Sequence, residues 1–110
     1  MQIASAGNAT DFGDLTVARY SSGAAGNNTR GIFAGSGSGS YGTVMDYITI
    51  ASTGNATDFG DTLEDRDALA GLANSTKAIY GGGRNDSGGS TTIQQVTIAT
   101  TANATDFGDM

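Results

Sequence analysis

Two arginines recur at equivalent places in this chain and are its first candidates for chemistry. Arg19 and Arg66 each follow the sequence Asp-Phe-Gly-Asp by five residues, and they lie 47 residues apart. Guanidinium groups repeated in this way could bind an anion or a sugar at several equivalent positions. Each could instead form a structural ion pair with a nearby carboxylate, such as Asp14 or Asp61. The ion pair is the interpretation that we favour.

Two loops rich in Gly and Ser carry the other candidates for ligand binding. They span Ser36–Gly42 and Gly83–Gly89 and occupy corresponding positions in two repeats. A repeated loop can combine several weak contacts into avid binding, and a tyrosine in the first loop offers a ring on which a sugar could stack. The candidate ligand-binding residues are therefore Arg19, Arg66, Tyr41, Arg84 and Asp86.

Several familiar motifs occur without the context that their chemistry requires. Asp-Phe-Gly appears three times, but the His-Arg-Asp sequence of protein kinases is absent. Gly37–Gly42 fits Gly-x-Gly-x-x-Gly, yet no helical pattern follows it, as a dinucleotide site requires. Glu64, Asp65 and Asp67 resemble the carboxylates of glycosidases, but an acidic connector of this kind is usually solvated. We therefore expect no enzyme activity.

Composition also disfavours metal and cofactor sites. The chain contains no His and no Cys, which removes the usual ligands of zinc, copper and iron and the base of His-dependent triads. Asn8, Asp11 and Asp14 could offer oxygen ligands to calcium, but their spacing differs from that of the EF-hand loop. Asx turns explain the same residues without a metal. We expect no cofactor, and calcium stays open as an alternative.

Net charge narrows the range of partners. The chain has 11 acidic and 5 basic residues, a formal charge of −6, and no basic stripe of the kind that nucleic-acid-binding proteins use. No long apolar run predicts a membrane span. The sequence Met-Gln-Ile-Ala at residues 1–4 shows no signal-peptide features, and the cellular location is left undetermined. We expect neither nucleic acid nor membrane as a partner.

The candidate residues are set on a long internal repeat. The sequence Asn-Ala-Thr-Asp-Phe-Gly-Asp, which we call the NATDFGD segment, begins at residues 8, 55 and 103. Spacings of 47 and then 48 residues indicate a repeat architecture. We divide the chain into a partial repeat at 1–14 and two full repeats at 15–61 and 62–110.

Each full repeat has the pattern of four short antiparallel strands. The first strand is made of small residues, which suit a crowded position, and a turn containing Asn leads to the second. The third is rich in β-branched residues, and the NATDFGD segment supplies a turn and a short outer strand. The first three strands are predicted, in repeat-related pairs, at Ser21–Gly26 and Ala68–Ala73, Arg30–Ala34 and Lys77–Gly81, and Val44–Ile50 and Thr92–Ile98. With no helical periodicity, the predicted fold class is all-β.

The order of these features resembles the blade of a kelch-type β-propeller. In such blades an Arg precedes a small-residue inner strand, as Arg19 and Arg66 do here, and the second strand ends in an aromatic residue and a Gly pair. Ile79–Gly82 matches that ending, whereas Ile32–Gly35 is followed by Ser36 in place of the second Gly. Phe occupies the position of the usual outer-strand Trp. The near-identical repeats also resemble tandem kelch-like repeats in predicted structural proteins of tailed bacteriophages.

The resemblance implies a β-propeller of four-stranded antiparallel blades, with two blades in each chain. A propeller needs about four to eight blades, and two isolated blades would leave unpaired strand edges and uncovered apolar faces. We therefore expect a homo-oligomer that completes the ring, with six blades from a trimer as the first choice. The alternative is that the chain is a piece of a longer propeller.

One NATDFGD segment is surplus in such a ring, because the chain has three copies of it and two inner hairpins. We expect the copy within 1–14 to serve as the outer strand of a neighbouring chain, which is a swapped closure, and the C-terminal copy to be displaced. The reverse assignment stays open. The candidate assembly residues are Ile3, Phe12, Leu15, Phe59, Ile98 and Phe107.

These observations predict a non-enzymatic structural or interaction protein that assembles with itself. A component of a phage virion is one such role. The alternative is a multivalent, lectin-like module that binds glycans through the two Gly/Ser loops. Measurement of the mass in solution would separate an assembled ring from a monomer.

Overall fold

The computed structural model describes residues 4–37, 42–85 and 87–110. In chain order the strands are β1 (Gly23–Gly26), β2 (Arg30–Ala34), β3 (Val44–Thr49), β4 (Thr57–Asp61), β5 (Ala70–Ala73), β6 (Lys77–Gly81), β7 (Arg84–Asn85), β8 (Gly88–Gly89), β9 (Thr92–Thr97) and β10 (Thr105–Asp109). Across these described ranges the protein contains no helix, so none is long and apolar enough to cross a membrane. The all-β prediction is confirmed.

Eight of the strands form two antiparallel sheets that correspond to the two full repeats. Sheet 1 has the order β1-β2-β3-β4, and sheet 2 has the order β10-β9-β6-β5, so each strand pairs with its neighbour in sequence apart from the inserted β7–β8 hairpin. That hairpin lies in the second Gly/Ser loop. In both sheets a bulge shifts the register between the third and fourth strands. The two sheets therefore repeat each other in topology and in register.

Tight turns at equivalent asparagines begin each sheet. Asn27 Oδ1 accepts hydrogen bonds from the backbone N–H groups of Thr29 and Arg30, both at 2.9 Å, and the Asn27 N–H donates to the Arg30 carbonyl at 3.0 Å. Asn74 makes the same set of bonds 47 residues later. Because an Asn side chain can close a turn against its own backbone, both inner hairpins form from local sequence.

The inner strands begin two residues later than the sequence predicts. The prediction placed their starts at Ser21 and Ala68, whereas β1 and β5 start at Gly23 and Ala70. Ser21 and Ala68 have positive φ angles of 57° and 55°. A left-handed residue interrupts the extended backbone that strand pairing requires, and neither Ser nor Ala signals that conformation in a sequence.

Each sheet has two faces, because successive side chains on a strand point to opposite sides. We call one the front face, which carries Ile32, Met45 and Phe59 in sheet 1 and the equivalent residues Ile79, Ile93 and Phe107 in sheet 2. The back face carries Phe33, Ile48 and Ile50 in sheet 1 and Tyr80, Val96 and Ile98 in sheet 2. Both faces of each sheet are thus substantially apolar.

The front face of sheet 1 packs against the back face of sheet 2, and this internal junction contains the core. Ile32 and Met45 from sheet 1 and Tyr80 and Ile98 from sheet 2 are fully buried there. The Tyr80 hydroxyl donates a hydrogen bond of 2.9 Å to the Ile32 carbonyl across the junction. Burial raises the pKa of Tyr80 above its usual range. The junction therefore joins the sheets by apolar packing and by a buried polar contact.

The two inner strands approach each other so closely at Gly23 and Gly71 that neither position has room for a methyl group. A Cβ atom at Gly23 would lie 2.7 Å from the Leu69 carbonyl oxygen, and one at Gly71 would lie 2.6 Å from the Ala24 carbonyl oxygen. Both distances are well inside the normal separation of carbon and oxygen atoms. The repeat equivalents of these glycines are Ala70 and Ala24, which lie on the outward faces. At these two repeat positions, glycine is thus present only on the face where the sheets meet.

Phe59 and Phe107 form a matched pair for mutation because they hold the same repeat position in different surroundings. Phe59 is 2% exposed and its ring meets that of Tyr47 edge-on at 5.9 Å, whereas Phe107 is 56% exposed. We expect Phe59→Ala to lower the free energy of unfolding by about 3–5 kcal/mol and Phe107→Ala to lower it by about 0.5 kcal/mol. Urea denaturation at low protein concentration measures both. Equal losses would contradict the packing described above for the front face of sheet 1.

Tyr80 should make stability depend on pH in the alkaline range. An unfolded tyrosine ionises near its usual pKa of 10.0, whereas burial raises the pKa in the folded chain. The stabilisation is therefore complete below about pH 10 and is lost above it, by up to about 1.4 kcal/mol per pH unit. Tyr80→Phe, which copies Phe33 of the first repeat, should abolish that share of the pH dependence. Urea denaturation from about pH 9 to pH 11 tests this, and parallel losses in both proteins would refute it.

Candidate functional site

Arg19 fixes the segment that precedes sheet 1 onto the back face of that sheet. Its side chain is buried, with Nη2 donating to Asp46 Oδ2 at 2.8 Å and Nη1 donating to the Val44 carbonyl at 2.6 Å. Asp46 also accepts hydrogen bonds from the Thr16 N–H at 3.0 Å and the Thr16 hydroxyl at 2.6 Å. Asp46 is thus the partner of Arg19, in place of the Asp14 that the sequence suggested. The pair holds the connector in one geometry.

Arg66 occupies the equivalent position before sheet 2 with different partners. It is almost fully buried, pairs with Glu64, and donates from Nη1 to the Gly82 carbonyl at 3.4 Å. Burial lowers the pKa of Arg66. In place of the carboxylate of sheet 1, Gln94 accepts a hydrogen bond of 2.8 Å from the Leu63 N–H. Both recurrent arginines are therefore packed inside the protein, and their guanidinium groups are covered.

Arg84 lies at a polar cleft between the loops of the two repeats. The cleft has a volume of about 520 Å³, and Tyr20, Asp65, Asp67 and Arg84 line it together with smaller polar residues. Arg84 Nε donates to Asp67 Oδ1 at 3.2 Å, and the Tyr20 hydroxyl donates to the Gly37 carbonyl at 2.7 Å. The Tyr20 ring stays exposed. The cleft thus offers an aromatic surface, charged groups and hydroxyl-binding atoms together.

Three of the candidate residues from the sequence fall outside the part of the chain that the structure describes. Tyr41 and Asp86 lie outside the described residues, as does the assembly candidate Ile3. Within the part of the chain that the structure describes, no group of three acidic side chains is placed to hold a metal ion. The acidic residue Asp65 lines the cleft, while Glu64 pairs with Arg66.

The two outward faces expose residues whose repeat equivalents are buried. Ile98, on the covered back face of sheet 2, is 0% exposed, whereas its equivalent Ile50, on the open back face of sheet 1, is 46% exposed. Phe59 and Phe107 show the same contrast on the front faces, and Leu72 beside Ile79 is also exposed. Because these positions are equivalent in the repeat, the difference in exposed fraction identifies the side chains that a neighbouring sheet covers. The open back face and the open front face lack that neighbour.

Polar groups cross the internal junction beside its apolar centre. Arg30 Nη1 donates to the Ile98 carbonyl at 3.1 Å, with the guanidinium carbon 4.3 Å from the centroid of the Tyr47 ring. Asn27 Nδ2 donates to the Ser75 carbonyl at 2.9 Å. These donors project from the front side of sheet 1 and reach main-chain oxygens of sheet 2. Because the acceptors are main-chain oxygens, these hydrogen bonds do not depend on which side chains the partner sheet carries at those positions.

The open front side of sheet 2 carries donors at the same positions. Lys77 is the repeat equivalent of Arg30, and Asn74 is the equivalent of Asn27. Lys77 Nζ donates to Gln95 Oε1 at 3.1 Å, and its side chain is exposed. The open front side of sheet 2 therefore carries hydrogen-bond donors at the positions equivalent to those that cross the internal junction.

The predicted assembly residues fall into two groups. Phe59 and Ile98 lie in the internal junction, where they are buried, and Phe107 lies on the open front face of sheet 2. Leu15 is partly exposed, and the Phe12 carbonyl accepts a hydrogen bond of 2.8 Å from the Gly54 N–H. The sequence did not single out Tyr80 or Asp46. The substitution of Tyr for Phe33 in the second repeat was the available signal for the former.

No family model matches this chain, and no curated protein is significantly similar to it.

Proposed function

We propose that this chain is a non-enzymatic structural protein whose copies join head to tail through their open faces. One observation carries the proposal: each open face is the repeat equivalent of a face that is buried inside the chain. The open front face of sheet 2 in one copy would receive the open back face of sheet 1 in the next. A contact between two different surfaces propagates from copy to copy and closes into a ring when the rotation allows it.

The contact between copies would reproduce the donors and apolar packing of the internal junction, with the inner strands spaced more widely because Ala70 and Ala24 replace Gly23 and Gly71. Lys77 stands where Arg30 donates to the Ile98 carbonyl, so it would reach the Ile50 carbonyl of the next copy. Asn74 would bond as Asn27 does. Phe33 stands in place of Tyr80 and would contribute apolar packing without the hydroxyl bond. Apolar burial would supply most of the affinity, as it does in the internal junction.

The closed form that we propose is a six-bladed β-propeller made by three copies. Each copy supplies two four-stranded antiparallel sheets, and propellers have about four to eight blades. The kelch-like placement of Arg19 and Arg66 before the inner strands supports this reading, because both side chains are used to attach the connector to its sheet. A rigid ring with few reactive groups suits a scaffold, of which a phage virion component is an example.

The proposal predicts an oligomer that single charges on the open faces should dissociate. Light scattering should give three times the chain mass of 11.0 kDa. Leu72→Asp and Ile50→Asp, on the open front and back faces, should each weaken association by about 30-fold or more, as at an interface hot spot, while circular dichroism stays unchanged. Leu63→Asp is the matched control, because Leu63 is similarly exposed but lies in the connector at the internal junction. It should assemble normally.

Two outcomes would overturn the proposal. The first is a wild-type protein that stays monomeric at about 11.0 kDa up to millimolar concentration. The second is an oligomer that survives both face substitutions but is dissociated by Leu63→Asp, because its contact surface would then lie elsewhere.

The polar cleft favours glycan binding as a second candidate function. Tyr20 presents an exposed ring beside Asp67, Arg84 and main-chain oxygens, and these groups could bond sugar hydroxyls. Assembly would multiply the cleft and raise the avidity for a repeated glycan.

A glycan array tests this candidate function. We expect binding of the wild-type protein to a polysaccharide to fall by about tenfold or more on Tyr20→Ala, which removes the stacking ring. Phe107→Ala is the control at low protein concentration, because Phe107 lies outside the cleft. An array with no bound glycan, or binding that Tyr20→Ala does not change, would contradict glycan recognition at this cleft.

A further inference from the structure

The three NATDFGD segments share one backbone conformation at their glycine, although among the described residues the first segment belongs to no sheet. Gly13, Gly60 and Gly108 have φ angles of 145°, 144° and 149°. The N–H of Gly13 donates to Asp11 Oδ1 at 3.2 Å, and that of Gly108 donates to Asp106 Oδ1 at the same distance. At Gly13 the first segment, Asn8–Asp14, thus has the backbone conformation that the other two segments have within outer strands.

A ladder of hydrogen bonds links each segment to the next. The Asp14 N–H donates to Asn55 Oδ1 at 2.9 Å, and the Asp61 N–H donates to Asn103 Oδ1 at 3.0 Å. In both pairs the Asp carbonyl accepts a bond of 2.8 Å from the N–H of the residue that follows the Asn. The first Asn of each segment therefore binds the last Asp of the segment before it. Asn8 has the same place in its segment as Asn103, and in the assembly it would meet Asp61 of another copy.

The first segment differs from the others in its strand pairing. Residues of the second and third segments form β4 and β10, which pair with β3 and β9. Within the described residues, Asn8–Asp14 is paired with no third strand. Its edge is therefore open to a strand with the character of β9.

We propose that, in the assembly, Asn8–Asp14 of one copy replaces β10 of its neighbour along the edge of β9. This inference rests on the proposed head-to-tail contact, in which the first segment of one copy and the third segment of the preceding copy are equivalent positions of the repeat. Only one of them can occupy the edge of β9. Since the seven residues are identical, the incoming segment makes the same strand and ladder bonds as the outgoing one.

The anchoring of the two segments decides which one stays. Asp14 is followed at once by Leu15 and Thr16, and Thr16 is held to the buried Asp46 by two hydrogen bonds. When sheet 1 of one copy docks on sheet 2 of its neighbour, Leu15 therefore reaches the position that Met110 occupies in that neighbour. There the Met110 N–H donates to the Thr91 carbonyl at 2.8 Å, as the Thr62 N–H does to its equivalent at 2.8 Å.

Among the described bonds, Met110 is held at the same end of the edge strand by the main-chain bond to Thr91, and its side chain is exposed. In the first segment, by contrast, Thr16 follows Asp14 by two residues and bonds to Asp46, which is part of a buried ion pair. The incoming segment thus holds the end of the edge where both segments compete, and β10 is displaced from that end. The exchange joins neighbouring copies by a strand as well as by their faces.

Cysteine pairs in the full chain test the exchange, because the protein has no native Cys. Thr105 faces Gln95 across β9 and β10, and Thr10 is the repeat equivalent of Thr105. We expect Thr10→Cys with Gln95→Cys to form disulfides between chains, seen as covalent oligomers on a non-reducing gel that revert on reduction. The matched pair, Thr105→Cys with Gln95→Cys, should form a disulfide within one chain and weaken assembly by about tenfold or more by holding β10 in place.

The outcomes separate this inference from the proposed function. We call the Thr105→Cys, Gln95→Cys variant the locked pair and the Thr10→Cys, Gln95→Cys variant the Thr10 pair. If the locked pair assembles as well as the wild type and the Thr10 pair forms no disulfide between chains, the exchange is overturned while the contact between faces stands. If the wild type is monomeric, both are overturned. Links between chains that form only when Thr10 carries the Cys, and weaker assembly of the locked pair, support the exchange.

Discussion

The packing of the front face of sheet 1 against the back face of sheet 2 is the contact on which the rest of the structure depends. Neither four-stranded sheet could bury an apolar face alone, and repeat units of this kind are stable only when stacked. The Tyr80–Ile32 hydrogen bond and the close approach at Gly23 and Gly71 set the distance between the sheets. The outward faces carry the repeat equivalents of the residues that form this contact.

The connectors before each sheet have a structural role that the repeat alone does not reveal. Arg19 reaches Asp46 in the first repeat, whereas Arg66 pairs with Glu64 and leaves the equivalent position to Gln94. Removal of one member of a buried ion pair leaves an uncompensated charge, so the change at 46 and 94 had to be accompanied by a change near the arginine. The arginine that recurs before each inner strand is thus part of the folded interior, whereas the recurring Asp residues of the outer strands, such as Asp58 and Asp106, are exposed.

The sequence predicted the fold where the signals are local and failed where they are distant. Arg30–Ala34 and Lys77–Gly81 were predicted with their observed bounds, because an Asn turn precedes each strand and glycine lies at its end, Gly35 in the first repeat and Gly81 with Gly82 in the second. The partner of Arg19 was missed because Asp46 lies 27 residues away and its repeat equivalent is a Gln. Of the candidate site, only the cleft contact of Arg84 could be anticipated, since burial of Arg19 and Arg66 depends on how connectors fold over the sheets.

The glycines at the internal junction also bear on the symmetry of a closed ring. Between sheets of one chain, Gly23 and Gly71 let the inner strands touch. Between sheets of successive chains, Ala70 and Ala24 would stand at the corresponding places and their methyl groups would hold the inner strands farther apart. The distances between neighbouring inner strands would then alternate between short and long around the axis. The central channel of a three-chain ring would therefore have threefold symmetry, although six similar inner strands line it.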